Sequence, residues 1–298
     1  MTVHVIPPIA LNSGNATSNA PSSDYADYAA GTTYALDASV HYNGRDYKSL
    51  QASNTGNTPS GSLTWWVDQG PSNRWKMFDF ERNTATTCAA PLTVTLTPAQ
   101  RVNAVMFTGV IADTVTITQS VGGSPVFSAT LNMLDRATTT WSGYFFGSFA
   151  YKSSGWSLDL LPYTASTVTV VFAKASGNVQ CESLLLGTAE QIGHAQYGAE
   201  TDIVDFSRIE RDSFGTAILV RRKNVPRMSL SIIVDKQNVN KVRKLRETLT
   251  AQPAGWIGLK NPACDYAESI AMLGIYKRMP ITIEYFSHSL VQLEVEGL

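Results

Sequence analysis

Charge is the first thing this chain has little of. Only 16% of its 298 residues are Asp, Glu, Lys or Arg, against roughly 25% in an average globular protein. The signs nearly cancel, 23 basic residues against 24 acidic ones. Such a balance sets up no global field, so neither sequence-specific nucleic-acid binding nor membrane insertion is expected. Cysteine is scarce as well: Cys88, Cys181 and Cys264 stand far apart and form no CxxC pair. That excludes a zinc ribbon and a disulfide scaffold, and leaves three small buried hydrophobes in a reduced compartment. No uncharged apolar run approaches the ~20 residues that cross a bilayer. The opening MTVHVIPPIALNSG has no basic n-region and no long apolar stretch, so no signal peptide is expected. The product is expected to be soluble and made in the cytoplasm, wherever it later works.

Catalytic signatures are missing too. His4, His41, His194 and His288 lie in four different segments, and none has a His or carboxylate partner at i+4. There is no GxSxG elbow, no GxxxxGK[ST] phosphate loop and no GxGxxG between a strand and a helix. Asp202, Asp205, Glu210 and Asp212 cluster, but beside Arg208 and Arg211, so ion pairing accounts for them. The chain is expected not to be an enzyme and to carry no cofactor and no metal.

What is present is strand texture. The expected fold class is mainly β and multidomain, in four parts. Residues 1–24 combine a short apolar piece around Pro7-Pro8 with a Gly/Asn/Ser/Ala linker. They are either an arm that packs on a neighbour or a later domain, followed by a flexible link, or a plain disordered leader. Residues 25–82 are dense in aromatics, with Ser39–Tyr42 and Asp46–Leu50 flanking Asn43-Gly44, a dipeptide suited to a two-residue hairpin turn. A module this small buries little else, so its tyrosines and tryptophans supply most of its core.

Residues 83–188 read as short alternating runs, such as Leu92–Leu96, Val102–Phe107 and Thr167–Phe172, separated by Gly and Ser turns. With no convincing helix, this texture predicts a β-sandwich of jelly-roll type. Trp141, Tyr144, Phe145, Phe146 and Trp156 are its aromatic candidates for sugar contact, against the plainer reading of core or subunit contact. Residues 189–298 contain the one persuasive helix, expected from Asp235 as N-cap to about Thr250, with Val239, Val242, Leu245 and Leu249 on one stripe. Its outer face, Lys236, Lys241, Arg243, Lys244 and Arg246, has no interleaved aromatics and reads as solvated or salt-bridging. The chain closes on a strand pattern, ITIEYFSHSLVQLEVEGL. Ile281, Ile283 and Tyr285 oppose Thr282 and Glu284, and after a break Val291, Leu293 and Val295 oppose Leu290 and Gln292. A closing strand implies a C-terminus docked in a sheet.

Two stretches carry resemblances. Tyr34, Ser39-Val40, Tyr42-Asn43-Gly44, Tyr47, Asn54–Pro59 and Trp65-Trp66 resemble the small chitin-binding modules of bacterial chitinases. Continued through Gly70–Asp79, the pattern resembles modules of phage tail-tip proteins. That resemblance implies carbohydrate binding by Tyr42, Tyr47, Trp65 and Trp66, whose rings would stack on sugars, although these rings equally suit the core of a mini-domain. Asp202–Arg208, Asp212–Gly215, Val220–Arg222, Pro253–Gly258 and the closing Tyr285–Leu290 and Leu293–Leu298 resemble baseplate proteins of tailed phages, with Val291 where family members commonly carry Cys. The resemblance implies a tail-tube-like domain and a structural role at the virion tail tip, in the distal-tail or upper-baseplate position of a siphophage. The implied partners are the chain itself, in a hexameric or trimeric ring around the channel, the tail tube, and hub or fibre proteins. The alternative is an adhesion protein contacting host surface glycans through its aromatic module.

Overall fold

The computed structural model describes residues 1–81, 84–135, 140–147, 150–211, 214–264, 266–283 and 285–298. Asp212, Ser213 and Glu284 of the readings above lie outside them. The chain is mainly β and built from several sheets. Its path is nested: it starts in one sheet system, passes through a second into a third, and returns in reverse order.

Strand β1 (Thr2–Ile6) opens the chain and β2 (Ala16–Ser18) follows. Residues 2–6 are therefore an arm that packs on a later domain, pairing with strands near residues 190 and 256, whereas the link that follows is a strand of the middle domain rather than flexible. Val3, Val5 and Ile6 are fully buried, and ordering them is repaid by apolar burial. Next come β3 (Ser39–Tyr42), β4 (Arg45–Ser49) and β5 (Trp66–Pro71), a small antiparallel sheet. The β3–β4 turn is Asn43-Gly44 with φ of 50° and 77°, the left-handed pair that a type I′ hairpin requires. Its core is Val40, Tyr47 and Trp66, ringed by Tyr28, Tyr34, Tyr42 and Trp65.

The sandwich follows. One sheet contains β7 (Leu92–Leu96), β9 (Thr114–Val121), β10 (Ser124–Asn132) and β14 (Ser166–Ala173), in the order β10-β9-β14-β7-β2. Opposite lie β8 (Ala104–Thr108), β13 (Ser154–Ser157) and β16 (Ser183–Gly187), ordered β13-β8-β16, and the pair β6 (Thr86–Ala89) with β15 (Asn178–Cys181). Period-two alternation aims Leu92, Val94, Leu96, Val168, Val170 and Phe172 inward, against Val105, Phe107, Leu184 and Leu186. Met77 also sits in this core, with Trp75 and Phe78 packed on it. The stretch following Pro71 thus belongs to the sandwich, so residue 82 is not the module's physical boundary. A short pair, β11 (Leu134–Asp135) with β12 (Ala150–Tyr151), carries helix α1 (Trp141–Phe146), an element the strand texture did not predict. Thr140 caps it, its hydroxyl accepting from the Gly143 amide at 3.1 Å.

The last sheet uses β17 (Glu190–Ala195), β18 (Glu200–Val204), β21 (Val225–Asp235), β22 (Ala254–Ile257), β23 (Ala271–Arg278), β24 (Ile281–Thr282) and β25 (His288–Gly297). The pairings β1–β17, β17–β21, β21–β25, β25–β23, β23–β22 and β22–β1 close on themselves, which makes a barrel. Closure gives each of these six strands a partner on both sides, and leaves β18 and β24 as the edge strands of the sheet. Helix α2 (Val239–Thr248) lays Val242 and Leu245, with Leu249 just past its end, into this core. Asp235 occupies the N-cap position of a 3₁₀ turn, Lys236–Asn238, rather than that of the α-helix, where Asn238 stands. The hairpin β19 (Arg208–Arg211) and β20 (Ala217–Val220) stands apart from the barrel sheet.

The sandwich and barrel share a wall. Alternate residues of β8 and β16 point away from the sandwich core, so Ala104, Met106 and Leu185 join Trp156, Ile6, Ile257, Ala271 and Leu273 in a separate buried cluster. The Trp156 indole donates to the Lys260 carbonyl at 3.0 Å, which ties the two units at that seam.

Candidate functional site

The four module aromatics divide into two kinds. Trp66 is 1% exposed, and its indole N–H donates to the Asn57 carbonyl at 2.8 Å. Tyr28 and Tyr34 meet it in T-shaped contacts, with centroids 6.0 and 5.3 Å away. Tyr47 is 7% exposed, and burial pushes its phenol up from its ordinary value. Neither ring has a free face for a sugar, so both are corrected to core residues. The physical reason is size, since so small a module must spend its largest rings on its own interior.

Tyr42 and Trp65 remain half-buried at opposite ends of the sheet. Tyr42 pairs with Arg45 at one end of β4, while the Trp65 carbonyl accepts from Leu50 past its other end. At about 3.3 Å per residue, some 15 Å separates the two ends. They do not form one platform. Around them the polar groups are locally paired: Arg45 with Asp68 at 2.7 Å, Lys48 with Asp37 at 2.7 Å, and His41 with the buried Asp46 at 3.3 Å. The Asp68 hydrogen bond holds the Arg45 guanidinium further up.

The sandwich candidates divide the same way. Trp156 is buried in the seam and is unavailable to any ligand. Trp141 and Phe146, by contrast, are 80% and 86% exposed, with Tyr144 and Phe145 beside them. These rings support one another: Trp141 stacks on Phe145 at 6.2 Å and 18°, and Tyr144 meets Phe145 edge-on at 5.2 Å. They form a convex aromatic knob on α1, held out by the β11–β12 pair.

Sequence reasoning passed over a further exposed apolar surface. All of β19 and β20 is exposed on both faces, including Ile209, Ile218, Leu219 and Val220. Ile203 and Phe206 extend the patch, and Ile283 with Phe286 form another on the loop before β25. The signal was available as the run Ala217-Ile218-Leu219-Val220, but a continuous apolar run of four reads as a strand buried within its own fold.

Chemistry is thin among the described residues. No group of three His, Cys, Asp or Glu side chains is placed to hold a metal ion. Arg208 pairs with Glu210, and hydrogen bonds from the Ser207 hydroxyl and from its amide, the latter at 2.8 Å, hold the Asp205 carboxyl below the usual range. Cys181 is wholly buried, and desolvation raises its thiol far from the reactive range. On α2, Lys241 pairs with Glu190 at 3.3 Å, Arg243 with Glu247 at 3.3 Å, and Arg246 donates to the Met279 carbonyl at 3.1 Å. Among the described residues no helix is long and apolar enough to cross a membrane.

A cleft of about 520 Å³ opens where the sandwich meets the barrel. Across it, Glu268 accepts from the amides of Ser153 and Ser154 at 2.6 and 3.1 Å and from the Ser153 hydroxyl at 2.5 Å, while Lys223 pairs with Glu182. No protein-family model matches this chain, and neither a curated protein nor a solved structure matches it significantly.

Proposed function

We propose that the chain is a non-enzymatic structural subunit of a phage tail tip, in the distal-tail or upper-baseplate position of a long-tailed virion. It assembles with copies of itself, as a hexamer or trimer, into a ring around the channel and links the tail tube to hub or fibre proteins. The observation that carries this reading is the β19–β20 hairpin, which is exposed on both faces and rich in Ile, Leu and Val. A two-stranded hairpin alone in water is marginal, and contiguous apolar surface of this kind marks an association site. A ring needs two different patches, one for each neighbour, and the Ile283 and Phe286 loop offers a second. The barrel with one flanking helix, whose circuit includes the closing strand, suits the tail-tube-like domain that the sequence resemblance implies.

The test is electron microscopy of the purified chain and of tails containing it. Closed rings coaxial with the tube, with the barrel innermost, are the expected image. A monomer at every concentration, or a peripheral decoration without rotational symmetry, overturns the reading.

The second reading is an adhesion protein that binds host-surface glycans. What favours it is the α1 knob, since exposed Trp, Tyr and Phe faces are what a pyranose stacks on. Trp141→Ala that leaves rings intact and abolishes retention on cell-wall glycan supports it, whereas unchanged retention removes it.

A further inference from the structure

We propose that the cleft between the sandwich and the barrel is a saccharide-binding site for one or two neutral sugar rings. It is separate from the module aromatics and from the α1 knob, and it does not depend on the ring reading. Its volume, about 520 Å³, lies in the range of small-ligand sites, which run from ~300 to ~1,000 Å³.

The lining selects the ligand class. Ala271 and Leu273, alternate residues on the seam face of β23, form an apolar floor, and Phe80 supplies an aromatic wall. Above them Thr108, Ser153, Ser154, Ser183 and Thr201 bring hydroxyls from both units, with Asp202 and Arg227 among the exposed residues that line the cleft. The carboxylates Glu182, Asp202 and Glu268 outnumber the cations Lys223 and Arg227, and Lys223 is already paired with Glu182. Phosphate and sulfate groups are therefore disfavoured. A lipid chain would leave the hydroxyls and carboxylates desolvated and unpaired. A polyhydroxylated ring meets both demands, with its C–H face on the apolar floor and its hydroxyls on the polar rim.

Two further observations point to a guest. The Ser154 hydroxyl is buried and has no hydrogen-bond partner among the described residues, an unmatched group of the kind native proteins keep for a reason. Phe80 sits at φ 58°, a left-handed conformation that is uncommon for a bulky residue and clusters at ligand sites.

The experiment is saturation-transfer NMR of the full chain with galactose, glucose, N-acetylglucosamine and its β-1,4 disaccharide at millimolar concentration. At least one should receive saturation. Ser154→Ala should weaken it about tenfold, the loss of one buried hydrogen bond, and Asp202→Asn by a similar factor. Ser154→Ala should also melt no earlier than the parent, because it deletes an unpaired buried hydroxyl. Should it fail to fold, Asp202→Asn carries the test, since that side chain is exposed. Absence of saturation from all four sugars overturns the proposal. So does saturation that survives both cleft variants, and loss only in Trp65→Ala or Trp141→Ala would move the sugar to the module or the knob. Ring formation by the cleft variants separates this outcome from that of the assembly reading.

Discussion

Trp65 and Trp66 are chemically identical neighbours with different consequences for substitution. Trp66 fills the module core and satisfies its indole N–H on Asn57, whereas Trp65 is half-buried at the rim. Trp66→Ala should cost about 3–5 kcal/mol, the usual toll for deleting a buried Trp, and Trp65→Ala about 1 kcal/mol. Thermal unfolding followed by near-ultraviolet circular dichroism distinguishes them, and equal effects would contradict the burial. Hence a glycan-retention assay on Trp66→Ala would report unfolding rather than lost stacking. His4 makes a second prediction at this scale. Burial in β1 lowers its imidazole from 6.5, opposed by a backbone hydrogen bond with Thr2 and aided by the charge of Lys260. A base whose folded pKa is depressed binds protons better when unfolded, so stability is lost as pH falls below 6.5 toward the folded value. His4→Gln should flatten that part of the stability profile in denaturant titrations. An unchanged slope would assign it to other groups.

Among the elements, β25 was legible in the sequence and β1 was not. The alternation of Val291, Leu293 and Val295 against Leu290 and Gln292 is the observed burial pattern, because half-buried strands write their faces at period two. Thr2–Ile6 is short and followed by prolines, so nothing local announces that its partners lie about 190 and 250 residues away. Trp156 and Trp141 differ for the same reason: neighbours distant in sequence decide which ring is covered. The β23–β25 pairing gives a sharp test. A Cβ on Gly274 would lie 2.2 Å from the Glu296 carbonyl oxygen, a backbone atom that cannot swing aside. Gly274→Ala should destabilise the barrel by about 1–3 kcal/mol as overpacking, read as a lower unfolding midpoint. The free hairpin behaves in the opposite way. Ile218→Glu with Leu219→Lys should leave the midpoint within about 0.5 kcal/mol, since both are exposed. The same pair should prevent ring assembly in mass photometry, and unimpaired rings would remove the hairpin from the interface.

At the scale of the whole molecule, the nesting itself is testable. The module leaves the sandwich after Ser22 and returns at Asn73, and the two strands of this neck are tied together. Asn73 Nδ2 donates to the Pro21 carbonyl at 3.3 Å, and Arg74 Nη2 to that of Ala20 at 2.9 Å. A chain whose entry and exit lie side by side tolerates removal of what lies between them. Replacing residues 24–71 by a short Gly-Ser linker should therefore leave a sandwich and barrel that unfold cooperatively near the parent midpoint. Extending the deletion to residue 82, where the aromatic run ends in the sequence, should not. It takes Met77, fully buried in the sandwich core, together with Trp75 and Phe78 packed upon it, and large-to-small losses in a core cost about 2–5 kcal/mol each. The sequence could not place that boundary, because Trp75 and Phe78 continue the module's aromatic density while their partners are sandwich strands. Calorimetry of the two deletions decides the matter. If both fold equally well, Met77 is not a member of the sandwich core. If neither folds, the module is an integral part of the sandwich rather than an insertion at its neck.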